Sequence, residues 1–312
     1  MSAAVLAVGG NREKFASWHL QNMVFLSAVS QVKNLRRVQM DGIISAEIGR
    51  FVREESGNRF GEGGERYFDD PLVGFAAADD ALFMQYKSVV GEFHLTPHEL
   101  ALAEAGDPWH PRTVICWVLP ITEATRASNR PETVYPSRAW AQTRQHGEIF
   151  NASLRRHLVR FLEERGHRAL APQLHPAWRE YGETPVGIAS SWSERHAAYA
   201  AGLGTFSLND GLITERGIAH RLGTVITDLA LKPSPRPYLH HKVNCLWHRD
   251  GTCGACIGRC PVGALSKEGH DKRICRDHVY GTIPAKVAET YQVTSTGCGL
   301  CQTKVPCEGK IP

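Results

Sequence analysis

DGTCGACIGRCPVGAL, residues 250–265, holds three cysteines and a proline in the spacing C-x2-C-x3-C-P: Cys253, Cys256, Cys260 and Pro261. Cys245 precedes this stretch, and Cys275, Cys298, Cys301 and Cys307 follow it. Eight of the nine cysteines therefore lie in the last 68 of 312 residues, while Cys116 sits alone in an apolar run. An even, clustered set can be a disulfide framework, but that reading needs an oxidising compartment. The start, MSAAVLAVGGNREKF, has no basic segment ahead of its short apolar run. No secretory leader is expected from it, and the expected location is cytoplasmic. Ligation of a metal or cluster is the better reading of the thiols.

C-x2-C-x3-C-P is most of the bacterial ferredoxin run C-x2-C-x2-C-x3-C-P, in which the last cysteine serves the other of two clusters. Each 4Fe–4S cube takes four thiolates, and the tail supplies eight. Crosswise ligation assigns Cys245, Cys253, Cys256 and Cys307 to one cube, and Cys260, Cys275, Cys298 and Cys301 to the other. Asp250 stands where the ferredoxin run has its first cysteine. A first site of three cysteines and Asp250, with Cys245 spare, is thus an open alternative, as is a pair of structural four-cysteine zinc sites. Two oxidised cubes would take the chain from its formal +4 to about 0. The nine Lys/Arg against six Asp/Glu from residue 245 onward then serve the clusters and need no nucleic acid to explain them.

Outward from the tail, KPSPRPYLHHKVN (232–244) divides the chain, giving an α/β domain over 1–235 and a cluster domain over 236–312. In the first domain, Ile44, Ile48, Phe51 and Val52 recur at helical spacing. TVICWVL (113–119), closed by Pro120, reads as a buried strand, in which Cys116 is a small hydrophobe. Phe150, Leu154, Leu158, Phe161 and Leu162 form a helical stripe that Gly166 ends. A further helix is expected over 192–201, with Ser191 and Glu194 as its capping box and Gly202 at its end. RFGEGGERYFDD (59–70) reads as a flexible loop or a lid. No run reaches the roughly 18 apolar residues of a membrane span, and a net charge of +4 is too mild to point to nucleic acid.

These cysteine segments, with GCGLCQTKVPC (297–307), resemble the iron–sulfur half of epoxyqueuosine reductases and of corrinoid-dependent reductive dehalogenases. AAYAAGLGTFSLNDGLIT (197–214) and RLGTVIT (221–227) are similar to the AGLG segment and following strand of the same families. The resemblance implies a nitroreductase-like, cobalamin-binding α/β domain fed with electrons by a ferredoxin-like domain holding two 4Fe–4S clusters. Gly202, Gly204, Thr205, Ser207, Asn209 and Arg221 would then contact cobalamin, with Gly204 nearest the corrin. Where epoxyqueuosine reductases carry a proton-donating aspartate, this chain has Ile188. Tyr199, with Arg195 or His196 on the same helix, is the replacement that the dehalogenase pattern suggests; Glu183 and Glu194 are further candidates.

The expectation is an iron–sulfur, cobalamin-dependent oxidoreductase that removes halide or oxygen from a small organic molecule. Its electrons would come from an external donor such as ferredoxin or flavodoxin. With Ile188 in place of the aspartate, a net charge near zero and only five residues after Cys307, tRNA is not expected as a partner. The rival reading is an electron-transfer or cobalamin-reducing protein with no substrate of its own.

Overall fold

A computed structural model describes residues 40–104 and 106–312. Residues 45–312 form one compact unit; of the other unit, residues 1–44, the described part is a helical stretch over 40–44. The leader reading lies outside the described residues.

The apolar run at 113–120 is strand β2 (Thr113–Pro120), and all eight of its residues are buried. It lies inside a four-stranded antiparallel sheet of order β1-β2-β8-β3, beside β1 (Leu72–Ala77) and β8 (His220–Thr227), with the short β3 (Ala169–Leu170) outside β8. The run is unbroken because helices cover both faces of the sheet. On one face Val114 and Cys116 pack with Phe83, Tyr86 and Val90 of α1 (Ala81–Val90), Leu100 of α2 (Pro97–Ala103), and Trp192. Cys116 is the small buried hydrophobe expected of it.

The other face carries Trp117, whose ring lies over Gly223 directly opposite; a Cβ at Gly223 would come within 2.2 Å of that ring. Trp117 Nε1 donates to Asn151 of the long helix above. After α3 (Glu123–Asn129), that helix, α4, runs Arg138–Glu163, and Ser137 caps it by accepting from Trp140 N. The predicted stripe Phe150, Leu154, Leu158, Phe161, Leu162 is its buried face, and Gly166 takes a left-handed φ of 80° just beyond. Ile48, Phe51 and Val52 are likewise buried on a helix, over 45–54.

Two sequence expectations change here. Residues 59–70 are fastened: Arg59 bridges Arg66, Phe68 bridges Ile121, and Tyr67 and Phe68 are buried. Phe68 lies against Gly147 of α4, where a Cβ would meet its ring at 2.6 Å. The helix expected over 192–201 is α5 (Glu194–Ala200), capped by Ser193 rather than Ser191. After it come the hairpin of β6 (Gly204–Phe206) and β7 (Leu212–Thr214), then β8. The tail adds α6 (Leu246–Asp250), α7 (Ala255–Gly258), α8 (Lys272–Asp277), a π-helical turn (His278–Thr282) and α9 (Ile283–Tyr291).

Overpacking a filled core costs about 1–3 kcal/mol. Gly223→Ala is expected to lose that much in chemical denaturation, since the rigid Trp117 ring occupies the space; an unchanged denaturation midpoint would contradict this packing.

Candidate functional site

Cys245, Cys253, Cys256 and Cys307 line one small cavity, together with Leu208, Ile213, Trp247 and Val305. Cys245 reaches it from the start of α6, Cys256 from α7 and Cys307 from the chain's end. Asp250 points elsewhere: it accepts from Thr252 N and Oγ1 and pairs with Arg249 at 3.2 Å. Burial and the neighbouring thiols push Cys256 up to about 11 and Cys307 up to about 12. The other four cysteines form a second neighbourhood, in which burial, with Cys275 and Cys260 adding, lifts Cys298 to about 11. Cys301 is raised well above the usual thiol range by burial and by Cys298, Cys275, Cys256 and Cys260. Cys256 belongs to the first quartet, so the two quartets adjoin. Among the described residues, no three His, Cys, Asp or Glu side chains close to the spacing that a single metal ion requires.

Side chains from the first domain hold the second quartet's loop. Gly297 and Gly299 flank Cys298 with φ of 62° and 68°. A Cβ at Gly299 would strike the Trp140 indole at 2.0 Å, and one at Gly297 would press on the Arg144 stem at 3.1 Å. Gln145 accepts from Thr294 N, Thr294 Oγ1 and Ser295 N. Arg259, between Cys256 and Cys260, donates to the carbonyls of Leu300, Thr303, Glu132 and Asn129. His270 lies 3.1 Å from Asp210 and bonds Cys275; burial opposes its charge, yet these two contacts hold it at about 9, a cation beside the Cys275 thiol.

The residues matched to a corrin contact are occupied otherwise. A Cβ at Gly204 would meet Ile213 O at 2.5 Å, and one at Gly202 would meet Pro235 O at 2.1 Å, so both glycines admit neighbouring backbone rather than a cofactor. Thr205 Oγ1 accepts from Asn244 N, and Ser207 donates to Asn209 and to Gly211 O. Asn209 Nδ2 donates to Cys301 O, which ties the β6–β7 loop to the second quartet. Arg221 lies instead 3.9 Å from Glu148, and strand alternation puts it with Gly223 on the α4 face.

His196 and Tyr199 both pack against Phe206, while Arg195 is engaged elsewhere. Arg195 donates to Asp210 O at 2.5 Å. His196 bonds Ser193 Oγ at 2.7 Å inside a nest of Tyr86, His94 and Phe206 rings. Tyr199 packs with Leu72, Leu222 and Phe206, and the cation over its ring is Arg236, 5.9 Å away, rather than Arg195. Leu222 and Arg221 alternate along β8, so the sheet separates Tyr199 from Arg221. Ile188 and the exposed Glu183 lie before α5, and Glu183 pairs with Arg273 at 3.4 Å.

Sequence reasoning missed a buried charge network at the edge of β8. β3 covers only Ile226 and Thr227, so among the described residues the edge of β8 away from β2 has no strand partner over the start of the strand. Asn151 and Arg155 donate there to Leu222 O at 2.8 and 3.1 Å, while Glu194 accepts from Thr224 N. Arg155, 1% exposed, also pairs with Glu194 at 2.7 Å and Glu148 at 2.9 Å. Glu194 is therefore an edge-sealing residue and not a helix cap. A separate cavity of about 610 Å³ lies between the 59–67 loop and α4, lined by Arg59, Phe60, Tyr67, Gln142, His146 and Phe150.

Compared with solved structures, the chain is similar to a selenomethionine-labelled epoxyqueuosine reductase at 20% identity and a TM-score of 0.45, over 78% of this chain and 62% of that one. An epoxyqueuosine reductase solved with an epoxyqueuosine-modified tRNA-Tyr stem loop matches at 18% identity and a TM-score of 0.49, over 87% and 66%. A catabolic reductive dehalogenase matches at 13% identity and a TM-score of 0.49, over 77% and 30%. The chain thus spans less than two thirds of each of these proteins. They are the two classes that the cysteine and AGLG segments resemble. No protein-family model and no curated protein matches the chain.

Three imidazoles, His94 fully buried and His196 and His220 partly so, are expected to make the fold acid-sensitive. Burial, with positive neighbours, lowers His94 to about 4, His196 to about 3 and His220 to about 4. The unfolded chain takes up those protons near 6.5 and the folded one does not, so unfolding binds protons between 6.5 and about 4 and stability falls with pH across that window. The urea midpoint is expected to drop between pH 7.5 and pH 5. His94→Leu, which removes two buried ring nitrogens without partners, is expected to lessen that drop. Equal midpoints at the two pH values would contradict this.

Proposed function

We propose that this protein is an iron–sulfur reductase whose two adjoining thiol quartets each hold a 4Fe–4S cluster. One quartet is Cys245, Cys253, Cys256 and Cys307; the other is Cys260, Cys275, Cys298 and Cys301. The observation that supports this most is the sorting of eight tail thiols into two neighbouring groups along the crosswise pairing of a two-cluster ferredoxin motif. Neutral thiols that raise one another's pKa become good ligands once a cationic centre reverses that repulsion. Bound clusters would supply single electrons at low potential.

The chain's own part is to fix the ligand loops through Arg259, Trp140 and Gln145, and to place the His270 cation beside Cys275. The reaction class proposed is reductive elimination. A halide substrate takes two electrons and one proton and releases halide; an epoxide takes two electrons and two protons and releases water. Electrons would come from an external carrier such as ferredoxin or flavodoxin. Cobalamin enters through the resemblance alone: Gly202, Gly204, Thr205, Ser207 and Asn209 do not form a cradle for it, and no step is derived through it. A tRNA partner stands open, against the expectation drawn from Ile188, the net charge and the short stretch after Cys307: Arg144, Arg195, Lys272, Arg273 and Arg276 come from segments around the second quartet, and a polyanion meets local rather than net charge. A modified nucleoside in tRNA therefore stands beside a free organic molecule as substrate.

Anaerobic reconstitution is expected to give about eight iron and eight sulfide per chain, from two cubes of four each. Cys256→Ser and Cys301→Ser are each expected to lose about half of that iron. Stoichiometric zinc without sulfide would overturn the proposal. Turnover of epoxyqueuosine-modified tRNA by the loaded protein would assign the substrate to RNA.

A further inference from the structure

Arg144, Glu148, Asn151 and Arg155 recur at i, i+4, i+7 and i+11, so they form one stripe along α4. The last two seal the edge of β8 at Leu222 O. The first two face the strand's start, where Arg221 lies with its side chain 25% exposed. Charges on this stripe do not balance. Arg155 takes Glu194 at 2.7 Å and Glu148 at 2.9 Å, leaving Glu148 only a looser 3.9 Å contact with Arg221. Three guanidiniums thus meet two carboxylates, a surplus of one positive charge.

That surplus sits at the Arg144 end. Among the described residues Arg144 has no carboxylate partner and no hydrogen bond, yet it is half-buried, with its stem against Gly297 next to Cys298. Burial, followed by the like charge of Arg144, draws Arg221 down to about 10 against the pull of Glu148. Two arginines held together in partial burial, with only Glu148 nearby and that carboxylate shared with Arg155, are costly unless an anion joins them. Tyr280 completes the surround: it stands in the π-helical turn, 56% exposed, within electrostatic range of Arg221 and under the Arg276 guanidinium at 5.5 Å.

We infer that Arg144 and Arg221, with the Tyr280 side chain beside them, bind the carboxylate of a small organic acid next to the second cysteine quartet. This names the substrate class for the proposed reductase and rests on that reading. One negative charge neutralises the surplus, which fits a monoanion. Guanidinium forks match a carboxylate through paired N–H···O bonds. Arg221 is only 25% exposed and the surplus is a single positive charge, which favours a small monoanion over a polynucleotide.

The experiment is calorimetric titration of the iron-loaded protein at pH 7 with benzoate, its neutral analogue benzamide, and inorganic phosphate. Benzoate is expected to bind at least tenfold more tightly than either of the others. Arg144→Gln is expected to weaken benzoate at least tenfold while leaving iron content and melting temperature unchanged, because Arg144 makes no structural bond. Arg221→Gln is expected to weaken benzoate to a similar degree. Equal binding of benzamide, or undiminished benzoate binding by Arg144→Gln, would overturn the assignment. Phosphate binding that depends on Arg144, without benzoate binding, would overturn the carboxylate in favour of a phosphorylated ligand. Iron-loaded protein that ignores benzoate defeats this inference alone, whereas protein that takes up no iron defeats the reductase reading.

Discussion

The Arg259 guanidinium sets the geometry on which the rest of the site depends. It lies between Cys256, of one quartet, and Cys260, of the other, and it donates to Leu300 O, Thr303 O, Glu132 O and Asn129 O. Those acceptors belong to the turn that carries Cys301 and to the chain leaving α3, so one side chain joins both quartets to the sheet domain. Buried carbonyls need donors, and a planar group with five N–H bonds can serve several at fixed angles where lysine cannot. Asn129 reinforces the junction by donating to Thr303 Oγ1 and accepting from Ser137 N at the cap of α4. Glu308, beside Cys307, is gripped by Arg130 through three hydrogen bonds. Cysteine loops held this way are fixed by the protein's own hydrogen bonds, as a preorganised site requires.

The sheet decides which side of the domain faces the cysteines. Because β2 is buried on both faces, the polar work falls to the free start of β8 and to the α4 stripe above it. Successive stripes of α4 meet different partners: Trp140 and Gln145 clamp the 294–299 loop, Asn151 and Arg155 seal β8, and Gln142 and His146 border the 610 Å³ cavity. A single 26-residue helix thereby links the sheet edge to the second quartet.

Cysteine spacing was legible because it is local to the chain: the motif proposes two groups of thiols, and Cys245, Cys253, Cys256 and Cys307 line one cavity. It could not choose between Cys245 and Asp250, since that depends on which way the short helix α6 turns its ends. β2 and the buried face of α4 were legible from apolar pattern. Ser191 and Ser193 both offer capping hydroxyls, and what removed Ser191 was tertiary: Glu194 is drawn to the unpaired N–H of Thr224 and to Arg155, contacts 30 and 39 residues distant. Gly202 and Gly204 announce a close backbone approach, but sequence does not say by what; the visitors are Pro235 and Ile213. Residues 59–70 look loose by composition and are fixed by Tyr67 and Phe68, whose partners lie on α4 and at Ile121. The Arg144–Arg221 pair left no trace in either segment alone.

Were the two proposed clusters held in these adjoining quartets, they would sense one another magnetically, because Cys301 of one quartet lies within electrostatic range of Cys256 of the other. The most direct test is electron paramagnetic resonance of the reconstituted protein, fully reduced with dithionite under anaerobic conditions. Adjoining clusters predict a broadened, spin-coupled spectrum that integrates to about two spins per chain, one from each cube. A single sharp signal of one spin, or a silent protein whose thiols hold zinc, would contradict the two-cluster arrangement.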